Sequence, residues 1–192
     1  MKFYINILFI LMSLISAQNI PDLFYFTQST QQGGYLFENV DINGQTIEAE
    51  DWVGAFNGDI CVGAKQWDTS LCNSGICEVV LMGDSGNDVT DGYMLPGDIP
   101  MFKIYDSSED KYYDAVPINV ELIDFNGPVI VDEYPWANNR FYRAEYLSYN
   151  TVTGCMDIEA CNYNADATES DGSCEYIADD ACDCSGNVFD CA

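Results

Sequence analysis

Between Cys161 and Cys174 the chain sets oxygen-bearing side chains at Asn162, Asn164, Asp166, Thr168 and Asp171. Oxygens on nearly alternate residues wrap a loop round one hard divalent cation, and a glycine such as Gly172 permits the sharp exit, which is the logic of calcium loops. The closing bidentate Glu of an EF-hand is missing and no helical pattern flanks the loop. The competing reading is therefore an Asn/Asp-rich loop whose side chains cap its own backbone. Asp84, Asn87, Asp88 and Asp91, between two strand-like runs, pose the same choice. Calcium is the cofactor that either set would take.

The cysteines offer a different chemistry. Nine is an odd number, so at least one thiol is free or pairs between chains. Cys72 and Cys77 flank the turn-forming Asn73 to Ile76, and a bridge there closes a tight loop. Cys61 lies within a strand-like run without an obvious partner and reads as a buried thiol packing as a small hydrophobe. The six tail cysteines, Cys155, Cys161, Cys174, Cys182, Cys184 and Cys191, read as three internal bridges whose connectivity sequence cannot choose. Zinc is the rival for Cys182 and Cys184, but the knuckle spacing of two intervening residues is absent.

Catalytic chemistry is narrowed sharply because the chain has no histidine. Ser-His-Asp, Cys-His and His-metal sites are all excluded, and no glycine-rich phosphate loop follows a strand. A glycosidase-like carboxylate pair survives, but nothing singles out two among 32 acids. A sugar-binding surface is the better alternative: Trp52, Trp67, Trp136, Tyr112, Tyr113 and Tyr134 are candidates for a stacking platform. Trp136, in a loop with polar neighbours, is expected to be the exposed, ligand-binding one.

Composition then sets the compartment. From 154 to 192 there are ten carboxylates, six cysteines and no Lys or Arg, with few large apolar side chains, so disulfides or bound cations must hold this part. Dense cysteines persist as disulfides outside the reducing cytosol. The N-terminus agrees: Lys2, an apolar run from Phe3 to Ile15 and the small Ser16-Ala17 read as a signal peptide at 1–17, too short to span a bilayer. A retained N-terminal anchor is the alternative. The formal charge of -26 repels phosphate backbones, which excludes nucleic acid as a partner, and it predicts a response to salt or calcium.

The elements that must position these residues are strands. The segment 18–150 reads as one all-β domain, with runs at Leu23 to Thr27, Tyr35 to Val40, Trp52 to Phe56, Asp59 to Trp67, Glu78 to Met82, Met101 to Asp106, Lys111 to Val116, Ile118 to Asp124 and Phe141 to Ser148. Ile118, Val120 and Leu122 alternate against Asn119 and Glu121, and Tyr142, Ala144 and Tyr146 against Arg143 and Glu145, so the first of each set is expected inside. Asn57-Gly58 supplies the two positive-φ positions of a tight hairpin turn. About eight or nine strands without a covering helix point to a β-sandwich, with a closed barrel as runner-up. Composition shifts at Thr151 to Thr153, which sets off 151–192 as a small, irregular, acidic disulfide module.

The tail also resembles a known repeat. Gly154-Cys-Met-Asp157, Ala160-Cys-Asn-Tyr-Asn164, Ala167 and Asp171-Gly-Ser-Cys174-Glu-Tyr176 are similar to the Cys- and Asp-rich repeats of secreted and surface proteins of marine bacteria. One full copy is present, with a fragment from Cys182 to Cys191. Trp52 to Gly63, Gly92-Tyr93 and Phe102 to Asp106 resemble all-β domains found beside such repeats. The resemblance implies secretion or cell-surface display and no particular reaction. The expectation is a secreted or surface-displayed, non-catalytic adhesion or ligand-binding protein, stabilised by disulfides and calcium. Its partner would be an extracellular glycan or cell-surface protein, with self-association through exposed sheet edges or the odd cysteine also open. The alternatives are a carbohydrate-binding module, a structural subunit of a surface assembly, or a glycan-cleaving enzyme.

Overall fold

The computed structural model describes residues 20–177, 183–185 and 187; the signal peptide expected at 1–17, Cys182 and Cys191 lie outside the described residues. Two Asn-Gly dipeptides show how the chain turns. At Asn43-Gly44 both residues take positive φ, +54° and +76°, joining β1 (Gln32–Ile42) to β2 (Gln45–Thr46). At Asn57-Gly58 only Gly58 does, at +58°, because Asn57 remains in β3 (Trp52–Asn57) paired with Ile60 of β4 (Ile60–Gln66). The expected hairpin forms with its turn one residue later, at Gly58-Asp59. The Asn57 amide holds it there by donating to the Gly92 and Tyr93 carbonyls at 3.1 and 3.3 Å.

The remaining long strands are β5 (Cys77–Met82), β6 (Met101–Asp106), β7 (Lys111–Asp124), β8 (Gly127–Ile130) and β9 (Phe141–Tyr149). Nine strands make one mixed sheet in the order β2-β1-β9-β7-β6-β3-β4, with β5 paired to β1 and β8 to β7. The β1–β9 pairing is parallel. The class is all-β and sandwich-like, built by one curled sheet rather than two separate ones. β7 turns the corner, pairing with β6 through Lys111–Ala115 and with β9 from Val116 onward. The curl brings β4 onto β5 so closely that a Cβ on Gly63 would stand 2.2 Å from the Val80 carbonyl oxygen.

That curl breaks the simple alternation. Inward residues step from Phe37 to Val40 in β1, from Ala144 to Leu147 in β9, and from Ala115 to Val120 in β7, odd intervals in a structure of period two. Pro117 and Asn119, the latter at φ +55°, lie at the kink in β7. As a result Val120, Tyr142 and Ala144 are buried as expected, but Ile118 and Tyr146 are 40% and 38% exposed and Leu122 is half-buried. The run Leu23 to Thr27 is also not a strand: Asp22–Phe24 is a 3-10 turn, which leads into extended chain.

Inside the curl, Tyr35, Phe37 and Phe102 meet at ring separations of 5.2 to 5.6 Å, with Trp67 tilted onto Phe37. Beyond β9, the described residues of the tail form a two-residue parallel pair, β10 (Thr153–Gly154) with β11 (Glu169–Ser170), and an isolated parallel bridge between Cys155 and Tyr163. Disulfides Cys155–Cys174 and Cys161–Cys184 hold it, around the buried Cys155 and Ala160. Cys72 and Cys77, the pair set by the turn spacing, are bridged at a Cα separation of 5.1 Å. Cys61 is a free buried thiol, pushed up to about 11 by desolvation, so it stays protonated at neutral pH.

Candidate functional site

A second apolar layer sits on the outer face of the β4-β3-β6-β7 half. Trp52, Tyr105 and Tyr112 are register partners across β3, β6 and β7, so their side chains form one row. Beside that row Gly54 leaves a hollow, which Phe24 fills; a Cβ there would lie 2.6 Å from the Phe24 ring. Phe24 is fully buried and stands edge-on to Tyr105 and Tyr112, with centroids 6.4 and 5.5 Å away. The 3-10 turn is thereby docked on the sheet, and its flanks wall a cleft of about 450 Å³. The cleft is lined by Ile20, Pro21, Asp22, Tyr25, Tyr105, Asp110 and Tyr112.

The cleft is preorganised. The Tyr105 and Tyr112 rings pack on each other with centroids 4.8 Å apart and planes tilted by 44°. The Tyr105 hydroxyl donates to Asp110 Oδ1 at 2.8 Å, a bond that raises its pKa to about 12 and keeps its proton in place. The Tyr112 hydroxyl accepts from the Leu23 amide at 3.2 Å. Tyr25 is 64% exposed at the rim. No Lys or Arg lines the cleft among the described residues, and Lys103, one row away on the same face, is ion-paired to Asp114.

Trp136 is elsewhere and not on the surface. It is 2% exposed, its Nε1 donates to the Leu81 carbonyl at 3.2 Å, and it fills slots left by Gly33 and Gly83. A Cβ on Gly83 would sit 2.1 Å from the indole, so this pair of glycines, distant in sequence, buries a ring that its polar neighbours suggested was exposed. Trp52 and Trp67 are buried too, which removes all three tryptophans from any platform. Of the aromatics singled out in the sequence only Tyr112 faces the cleft; Tyr113 is buried, with its hydroxyl on Glu109, and Tyr134 is half-buried against the core.

The two candidate cation loops are built by backbone capping. In the tail, Asn162 Oδ1 accepts from the Glu175 amide (2.8 Å), Asn164 Oδ1 from Asp166 (3.1 Å), Thr168 Oγ1 from Val152 (2.9 Å) and Asp171 Oδ1 from Ser173 (2.9 Å), while Asp166 is exposed. In the other loop the chain closes round the buried Thr90. Its hydroxyl accepts from the Ser85 amide at 3.1 Å and lies 3.2 and 3.3 Å from Asp84 Oδ1 and Asn87 Oδ1. Asp88 and Asp91 point to solvent. Among the described residues no three His, Cys, Asp or Glu side chains converge on one point.

A separate acidic cleft of about 390 Å³ carries Glu48, Asp51, Asp106 and Glu109. Asp51 accepts from the amides of Glu48 and Ser107 at 2.8 and 2.9 Å. At Asp106 burial pushes the carboxyl up, and hydrogen bonds from Ser108 and the Glu109 amide outweigh it and bring it below the usual range. The other shifted carboxyls, Asp157, Asp171 and Asp183, also move down, the wrong direction for a general acid.

Sequence reasoning missed Tyr25 and Tyr105. The available signal was alternation: Tyr105 and Lys103 oppose Phe102 and Ile104 in β6, and Tyr112 opposes Tyr113 in β7. Recognition of the β6–β7 hairpin sets the two tyrosines side by side. Comparison of the chain with protein-family models, curated protein sequences and solved structures finds no match.

Proposed function

We propose that this chain is a secreted or surface-displayed, non-catalytic ligand-binding protein, and that the Tyr25/Tyr105/Tyr112 cleft is where its extracellular ligand binds. The observation that carries this reading is the preformed cleft that Tyr25, Tyr105 and Tyr112 line beside the carboxylates of Asp22 and Asp110, on a sheet. Rings held by packing and by second hydrogen bonds offer contact area at little ordering cost, the property that favours tyrosine in binding surfaces.

Three disulfides among the described residues support an oxidising compartment, and no helix among those residues is long and apolar enough to cross a membrane. The Cys- and Asp-rich tail, through its resemblance to surface-protein repeats, supports display outside the cell as spacer or attachment element. The absence of histidine supports binding without turnover.

Retention on a panel of polysaccharides and intact cell surfaces tests the reading, with release of reducing sugar assayed in parallel. Wild type is expected to be retained on at least one surface without turnover, and Tyr25→Ala to weaken that retention while leaving the melting temperature unchanged. Turnover abolished by a single carboxylate substitution would overturn it.

A further inference from the structure

Resting on the cleft reading above, we propose that the ligand group the cleft accepts is a quaternary ammonium, carried by an extracellular small molecule, lipid headgroup or decorated polymer. Aromatic ring faces are electronegative, and a cation within about 6 Å of a ring centroid is drawn to them. Here the contacting rings of Tyr105 and Tyr112 line one wall, Tyr25 stands at the rim, and Asp22 and Asp110 add negative charge with no base in the lining.

A quaternary ammonium has no proton to donate and is weakly hydrated, so it needs ring faces and nearby anions rather than hydrogen-bond partners. A neutral pyranose needs donors for its ring and hydroxyl oxygens. The cleft offers few of these: no Asn, Gln, Lys, Arg or Trp lines it and the Tyr105 proton is committed to Asp110, which leaves only the Tyr25 and Tyr112 hydroxyl protons as side-chain donors. The formal charge of -26 adds a long-range field that draws cations to the protein at low salt. An anionic ligand is disfavoured by the same field and by both carboxylates.

The test is titration of the full secreted chain with tetramethylammonium chloride, followed by NMR, against sodium chloride at equal ionic strength. Methyl glucoside and cellohexaose serve as neutral probes. Tetramethylammonium is expected to bind saturably at the tyrosines while sodium does not. Two substitutions at exposed positions leave the fold alone. Asp110→Asn keeps an acceptor for Tyr105 and tolerates φ +53°, yet removes a charge; Tyr25→Ala removes the rim ring. Each is expected to weaken tetramethylammonium binding at least about threefold, and Tyr25→Phe to preserve it.

If a neutral saccharide binds, Tyr25→Ala abolishes that binding and tetramethylammonium matches sodium, the ammonium assignment is overturned and the cleft reading stands. If no probe perturbs the cleft and Tyr25→Ala leaves surface retention unchanged, both are overturned. Binding of tetramethylammonium that is insensitive to Asp110→Asn and Tyr25→Ala would place the site elsewhere and overturn the assignment. A choline-headgroup vesicle and free choline, compared after saturable binding is seen, separate a lipid source from a soluble one.

Discussion

Single side chains decide what is surface and what is core in this protein. Trp136 is a keystone: its ring fills the hollows of Gly33 and Gly83 and its indole N–H satisfies the Leu81 carbonyl. Trp136→Ala should therefore cost about 3 to 5 kcal/mol, read as a fall in the denaturation midpoint. A loss under about 1 kcal/mol, the size of an ordinary surface change, would contradict the packing. Cys61 makes a second prediction. Burial holds its thiol near 11, so at pH 8 it should resist iodoacetamide in the native protein and react only on unfolding. Rapid native labelling would show that the β3–β4 face is open.

At the scale of elements, the tail depends on carboxylates acting as caps. Asp157 is lowered by the Glu159 amide and then the Tyr176 hydroxyl, and Asp171 by the Ser173 side chain and then its amide. A depressed folded-state value means that these bonds contribute stability above the unfolded carboxyl pKa, about 3.9, and lose it as pH falls through the lower folded value. Amide exchange protection in the tail is expected to hold from neutral pH to about 4 and to drop below that, ahead of the main sheet. A tail that loosens as pH rises through neutrality would contradict this.

Element by element, most of the strands were legible because aromatic and β-branched runs punctuated by Gly, Asn and Asp require only local physics. What was not legible was anything set by the curl. Lys111 to Asp124 reads as two strands from sequence because Pro117 interrupts it, yet it is one, bent between two halves of the sheet. The strands β1, β9 and β7 change inward parity together because they are paired, so Ile118 and Tyr146 come out although each strand alone alternates correctly. The Cys72–Cys77 bridge was readable because a five-residue separation leaves one obvious partner. Trp136 was not, because its burial comes from glycines more than 50 positions away. The cleft was half readable: Tyr112 was among the aromatics considered, while Tyr105 becomes its neighbour only through β6–β7 register.

For the whole molecule, charge is the dominant fact. At -26, self-repulsion destabilises the compact state at low ionic strength, and added salt screens it over about 8 to 10 Å. The side-chain oxygens of Asn162, Asn164, Thr168 and Asp171 already serve the backbone, which supports general screening over a dedicated ion site. Calcium and an ionic-strength-matched sodium salt are accordingly expected to raise the melting temperature alike, once preferential accumulation of the divalent ion is controlled with magnesium. A calcium-specific increment lost in Asp166→Ala would instead establish a site in the tail.

The central claim, that the working surface is the tyrosine cleft on the outer face of β6 and β7, is tested most directly by mapping amide chemical shifts while titrating whichever ligand the protein retains. The account predicts shifts concentrated at Asp22 to Tyr25, Tyr105, Asp110 and Tyr112. Shifts concentrated instead in the loop from Asp84 to Asp91, in the Asn162 to Asp171 loop or in the Glu48/Asp51/Asp106/Glu109 cleft would contradict it.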